Sequence, residues 1–133
     1  VANNKEKNAI EDLDFEIQFL EGVLRNSPHF IEALINLGEL YTKRGLYLKG
    51  LEVDLKLSQL RPDDSTVFYN LACSYSLVDD LEKAFASIKA AIEKGYGDFQ
   101  HLEQDDDLSK LRQFPPFEDF FAQLKPRQRK KRT

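Results

Sequence analysis

A period of 34 residues runs through the middle of this chain, and few architectures accommodate a repeat of that length. Leu37 aligns with Leu71, Tyr41 with Tyr75, Asn36 with Asn70, Lys49 with Lys83 and Pro28 with Pro62. Leu34 falls on Phe68, Gly38 on Ala72 and Gly50 on Ala84, so a small residue recurs at two places in each unit. Two helices approach closely only where little side chain stands between them, and such positions mark where the helices of one unit cross. The spacing inside each unit is helical. Leu34, Leu37, Gly38 and Tyr41 follow i, i+3, i+4, i+7, and so do Phe68, Leu71, Ala72 and Tyr75. No segment alternates with a sustained period of two, so the sequence predicts no sheet.

Turn signals divide the units. Gly45 stops the first helix of one unit. Pro62 closes the helix before it, and Asp63, Asp64 and Ser65 offer capping oxygens to the next. A second helix is expected in each unit, over 47–60 with Leu51, Leu55 and Leu57, and over 81–94 with Ala84, Ile88, Ala91 and Ile92. An earlier helix over 10–26 carries the stripe Leu13, Ile17, Leu20 and Leu24, and Ser27-Pro28 ends it. Lacking a partner helix before it, it either caps the array or exposes a face. Near the other end Pro116 suits a first helical turn, and Phe117, Phe120, Phe121 and Leu124 fall at i, i+3, i+4, i+7. Burying such side chains contributes about 1.5–3 kcal/mol each, so this last helix is expected to be a lid on the repeats.

These residues closely resemble the tetratricopeptide repeat family. One unit supplies Leu34, Leu37-Gly38, Tyr41, Gly50, Leu57 and Pro62, and the next supplies Phe68, Leu71-Ala72, Tyr75, Ala84, Ile88 and Ala91. Asp54 stands where the family has an aromatic, and Tyr96 where the second unit's Pro would be. The stretch Asp105-Asp106-Asp107-Leu108, Leu111-Arg112, Pro115-Pro116-Phe117 is similar to the way some members end. The resemblance implies an all-α fold, a short right-handed solenoid of helical hairpins with a C-terminal capping helix. The expected organisation is a flexible terminus over 1–8, a repeat domain over 9–124 and a basic flexible tail over 125–133. Within the repeat domain the units run over 9–28 (partial), 31–64 and 65–98, with a capping segment over 99–124.

The resemblance also implies where a ligand lies, because the first helix of each unit lines a concave groove in this family. The candidates are Glu32, Ile35, Asn36, Glu39 and Lys43 in one unit, and Thr66, Tyr69, Asn70, Cys73 and Ser76 in the next. Asn36 and Asn70 make the best pair, since a primary amide both donates to and accepts from a peptide backbone. Two of them one repeat apart either form a ladder for an extended chain or bond neighbouring helices. The carboxylate clamp known in this family needs Lys and Arg in the groove, whereas Glu32 and Glu39 stand there with Lys43 as the one base. A neutral to basic protein or peptide is the expected partner.

Charge raises two alternatives. Residues 125–133 hold six of the 19 Lys and Arg residues and none of the 23 Asp and Glu residues, so an acidic body ends in a basic tail. That tail is a solubilising end, an import signal, or a contact to nucleic acid or an anionic surface. The unpartnered first helix allows self-association into a homo-oligomer. Cys73, the single cysteine, excludes an internal disulfide framework and reads as a small buried hydrophobe. His101 and Asp105 stand at i, i+4, but the stretch 103–107 is expected to solvate a turn and start a helix rather than hold a metal. No phosphate-binding loop or nucleophile elbow is present. The sequence therefore predicts a non-catalytic adaptor or scaffold with no cofactor, placed in the cytoplasm.

Overall fold

Side-chain caps start several of the chain's helices. The computed structural model describes residues 3–132, with side chains described through residue 124. Helices α1 (Asn4–Asn26), α2 (Ile31–Arg44), α3 (Tyr47–Leu60), α4 (Ser65–Leu77) and α5 (Leu81–Glu93) form the array. Helix α6 (Phe99–Gln104), a 3₁₀ turn (Asp106–Leu108), α7 (Ser109–Arg112) and α8 (Pro115–Arg132) complete it. There is no strand among the described residues. Asp64 accepts from the amides of Thr66 and Val67 at the start of α4, as its position before an apolar run predicts. Asp80 caps α5 and Asp98 caps α6 in the same way. Gly45 ends α2 in the left-handed conformation at φ 83°. One repeat later the same conformation falls to Asp79, φ 66°, a residue type that tolerates it.

The first helix departs from its expected bounds. Residues 4–8, read from the sequence as part of a flexible end, form its first turn, because the Asn3 side chain accepts from the Glu6 amide at 2.8 Å. Residues 125–132, read from the sequence as part of a flexible tail, continue α8, which runs to Arg132, and residue 133 lies outside the described residues.

Packing follows the small residues. At the crossing of α2 and α3 a side chain on Gly38 would meet Val53 and Asp54 at 3.4 Å, and one on Gly50 would meet the Thr42 hydroxyl at 3.4 Å. The equivalent crossing of α4 and α5 uses Ala72 and Ala84, both fully buried. Helix α3 turns Gly50, Val53, Asp54 and Leu57 inward. Leu55, expected in its apolar stripe, is exposed, since it lies a quarter turn beyond that inward face.

Two clusters make the core. Ile17 of α1 packs with Leu34, Leu37, Tyr41, Val53 and Leu57, and α1 is further tied to α2 by Tyr41 donating to Glu21 and by Arg44 on Asp14 at 2.8 Å. The second cluster joins Ala72, Ala84, Ile88 and Ala91 to Leu102, Leu108, Leu111, Phe117 and Phe121. Phe117 stacks on Phe121, Phe85 meets Phe114, Phe117 and Phe120 edge-on, and Leu124 packs against the same cluster. The Phe stripe of α8 thus closes the end of the stack. At the opposite end α1 leaves Phe15 and Phe19 largely exposed.

Candidate functional site

The first helices of the two full units, α2 and α4, both pack against α3, and the segment after α6 folds back against α4. Between them lies an open cavity of about 280 Å³. Six of the residues expected to face a ligand line it: Ile35, Glu39, Lys43, Tyr69, Asn70 and Cys73. Glu32, Asn36 and Thr66 are on the same helices but lie outside it. Ser76 also lies outside it and is fully buried. The two asparagines are therefore not equivalent, and only Asn70 borders the cavity.

Tyr69 and Cys73 are not free groove residues. The Tyr69 ring stacks on Tyr96 with centroids 4.4 Å apart, and its hydroxyl donates to Asp105 Oδ2 at 2.6 Å. Cys73 Sγ lies 3.8 Å from the same oxygen, and His101 Nε2 lies 3.4 Å from it. Asp105 Oδ1 accepts from the Asp107 amide at 3.0 Å, which starts the 3₁₀ turn. Arg112 then closes the segment by donating to the carbonyl oxygens of Leu102 and Asp105, at 2.8 and 2.6 Å. Burial pushes the Tyr69 hydroxyl and the Cys73 thiol well above their ordinary values, and Asp105 pushes both further, so Tyr69 is held as a donor and Cys73 as a thiol.

Three acidic groups that the repeat pattern does not place in the groove line this cavity: Asp54 from α3, and Asp105 and Asp107 from the cap. Asp54 is only 8% exposed, and its Oδ2 accepts from the Ser74 hydroxyl. Burial raises its carboxyl to about 6, against a partial offset from that hydrogen bond. Asp107 is also raised, by burial first and then by Asp105 and Asp106. Asp54 stands where the repeat pattern has an aromatic, and that mismatch is the one signal in the sequence that points to it. Nothing in the chain order could bring 105 and 107 beside 39 and 70, because that contact depends on the cap folding back. The resulting lining is acidic: Glu39, Asp54, Asp105 and Asp107 face Lys43 and His101, with apolar walls from Ile35, Leu57 and Leu77.

Among the described residues no cluster of three His, Cys, Asp or Glu could hold a metal ion. No helix among them is long and apolar enough to cross a membrane.

No family model matches the chain. A curated chloroplastic protein of Arabidopsis thaliana is 30% identical over 87 residues, covering 63% of this chain and 26% of that protein. The chain thus spans about a quarter of that relative's length. Among solved structures, a crystal structure of MamA superposes with a TM-score of 0.62 at 22% identity, covering 87% of this chain and 76% of that one. MamA residues 41 to the end from Desulfovibrio magneticus RS-1 give 0.61 at 18% identity, covering 87% and 70%. These likenesses show the fold, a tetratricopeptide-like helical repeat.

Proposed function

We propose that this tetratricopeptide-like chain is a non-catalytic adaptor that binds a protein segment in the groove between α2, α4 and the cap. The observation that carries the reading is the cavity itself, which Ile35, Glu39, Lys43 and Asn70 line together. Apolar walls with a few convergent polar groups suit a peptide: the walls take side chains and the Asn70 amide takes backbone groups. The titratable groups of the groove do not form a reacting set. Tyr69 and Cys73 are held protonated, and Asp105 is engaged on both oxygens in tying down the cap.

The experiment is site-specific cross-linking in native cell extract. A photoreactive benzoylphenylalanine at Asn70 should capture a partner, whereas the same group at Ala86, exposed on α5 outside the cavity, should not. Equal capture from the two positions would remove the groove from the reading. Asn70→Ala should weaken a captured partner by about 1–3 kcal/mol, and Asn36→Ala, one repeat earlier but outside the cavity, by much less.

A further inference from the structure

The floor of the groove holds a carboxylate with no cation beside it. Asp54 is more than nine-tenths buried, yet only Oδ2 is hydrogen-bonded, to Ser74. Among the described residues Oδ1 has no hydrogen-bond partner, and it borders Gly38, whose missing side chain leaves room there. Ion pairs join Arg44 to Asp14, Lys83 to Asp80, His101 to Asp105 and Lys110 to Asp79. None of them neutralises Asp54, Glu39 or Asp107. A buried carboxylate with one hydrogen bond and no cation beside it is costly, and because Asp54 lines a cavity an outside group can reach it.

We propose that this floor is a cation pocket in which Asp54, with Glu39 from α2 and Asp107 from the cap, receives the guanidinium of an arginine on a basic polypeptide segment. The proposal rests on the groove reading and names what the groove selects. A metal ion does not fit, because no three ligating side chains converge among the described residues. An arginine does, on three counts. Its planar head is weakly hydrated and forms forked bonds to carboxylates. Its methylene stem matches the walls given by Ile35, Leu57 and Leu77. The cavity of about 280 Å³ exceeds the volume of several waters, each about 30 Å³, so the head group has room. The groups facing the guanidinium are Glu39 and Lys43 of α2, Asp54 of α3, Tyr69 and Cys73 of α4, and His101, Asp105 and Asp107 of the cap. Of these only Lys43 is a fixed positive charge, and it lies at the exposed rim.

The test uses the full chain and a fluorescein-labelled Gly/Ser/Gln peptide bearing arginines, followed by anisotropy. The control peptide carries citrulline, the neutral isostere, in their place. The parent should bind the arginine peptide about tenfold more tightly than the citrulline peptide. Asp54→Asn, checked for unchanged helicity and melting cooperativity, should lose that preference while keeping its weak affinity for citrulline. Glu39→Gln, at an exposed position where folding is not at stake, should lose part of it. The preference should grow from about pH 5 to about pH 7 in the parent and stay flat in Asp54→Asn. A parent with no arginine preference, or an Asp54→Asn variant that keeps the full preference, overturns the pocket. Capture of a partner from Asn70 would survive either result, so the pocket and the groove fail separately.

Discussion

The Tyr69 hydroxyl reaches Asp105 Oδ2 at 2.6 Å, and this bond joins the inner helix of the last repeat to the segment that closes it. Asp105 answers with its other oxygen by starting the 3₁₀ turn, so one carboxylate both docks the cap and shapes it. The groove's far wall is present only while that docking holds, since His101, Asp105 and Asp107 all come from the cap.

Tyr69→Phe keeps the ring stacked on Tyr96 and removes only the donor. The carboxylate is left half-buried with Cys73 and His101 as its remaining neighbours on that oxygen. The expected cost is about 1–3 kcal/mol in urea unfolding. Asp105→Ala should cost more, because it also removes the acceptor for the Asp107 amide. In a double-mutant cycle the two changes should couple by at least about 0.5 kcal/mol. Strict additivity would mean that the cap is held elsewhere.

Ala72 sits fully buried where α4 crosses α5, opposite the equally buried Ala84. Ala72→Leu adds a branched side chain where the helices have no space, and should cost about 1–3 kcal/mol. Thermal melting checks it. A variant as stable as the parent would place the close approach at another residue.

The parts of the fold that are legible in the sequence are those set by local chemistry repeated at a fixed interval. Gly38 and Ala72 announce the crossing and Gly45 announces a turn because each unit must solve the same packing problem, whereas the left-handed Asp79 one repeat after Gly45 appears only in the structure. The Phe stripe of α8 is legible because an apolar helical face of that size must be covered. The groove is legible only by half. The repeat pattern expects the face of α4 that bears Tyr69 and Cys73 to meet a ligand, and both residues do line the cavity, but the cap occupies part of the surface that they offer. A repeat pattern describes what each unit does for its neighbour. It carries no information about a terminal segment that folds back once and is tied together through Asp105 and Arg112. Asn36 and Asn70 show the same limit: identical in register, they differ because only the second has the cap beside it.

Phe117 and Phe121 are buried, and Phe120 and Leu124 pack against the same cluster. Removing residues 115–133 should therefore uncover Leu102, Leu111 and Phe85, raise the fluorescence of a hydrophobic dye and promote association. Removing residues 125–133 alone should change neither. Dye binding and sedimentation of the two truncations compare them directly, and identical behaviour would mean that α8 does not seal the stack.

Asp54 gives a pH dependence whose sign can be worked out. Its carboxyl titrates at about 6 in the folded chain against an ordinary 3.8, because burial disfavours the charged form more than the Ser74 hydroxyl favours it. Between those values the folded chain holds a proton that the unfolded chain has released. The folded state is thus penalised progressively as pH rises from about 4 to about 6, and the penalty is constant above that. Asp54→Asn keeps an acceptor for Ser74 and removes the charge. It should match the parent's stability at about pH 4 and exceed it by about 1–3 kcal/mol at about pH 7.5, since each tenfold change in proton affinity is worth about 1.4 kcal/mol. Urea unfolding at the two pH values measures the difference, and the other carboxylates cancel because both proteins carry them. A variant that is less stable than the parent at the higher pH would show that the carboxylate is stabilising in place, and that the groove floor has no charge left over for a partner to neutralise. A more stable variant that has lost its arginine preference would show the opposite: a residue kept at a cost to the fold because binding uses it.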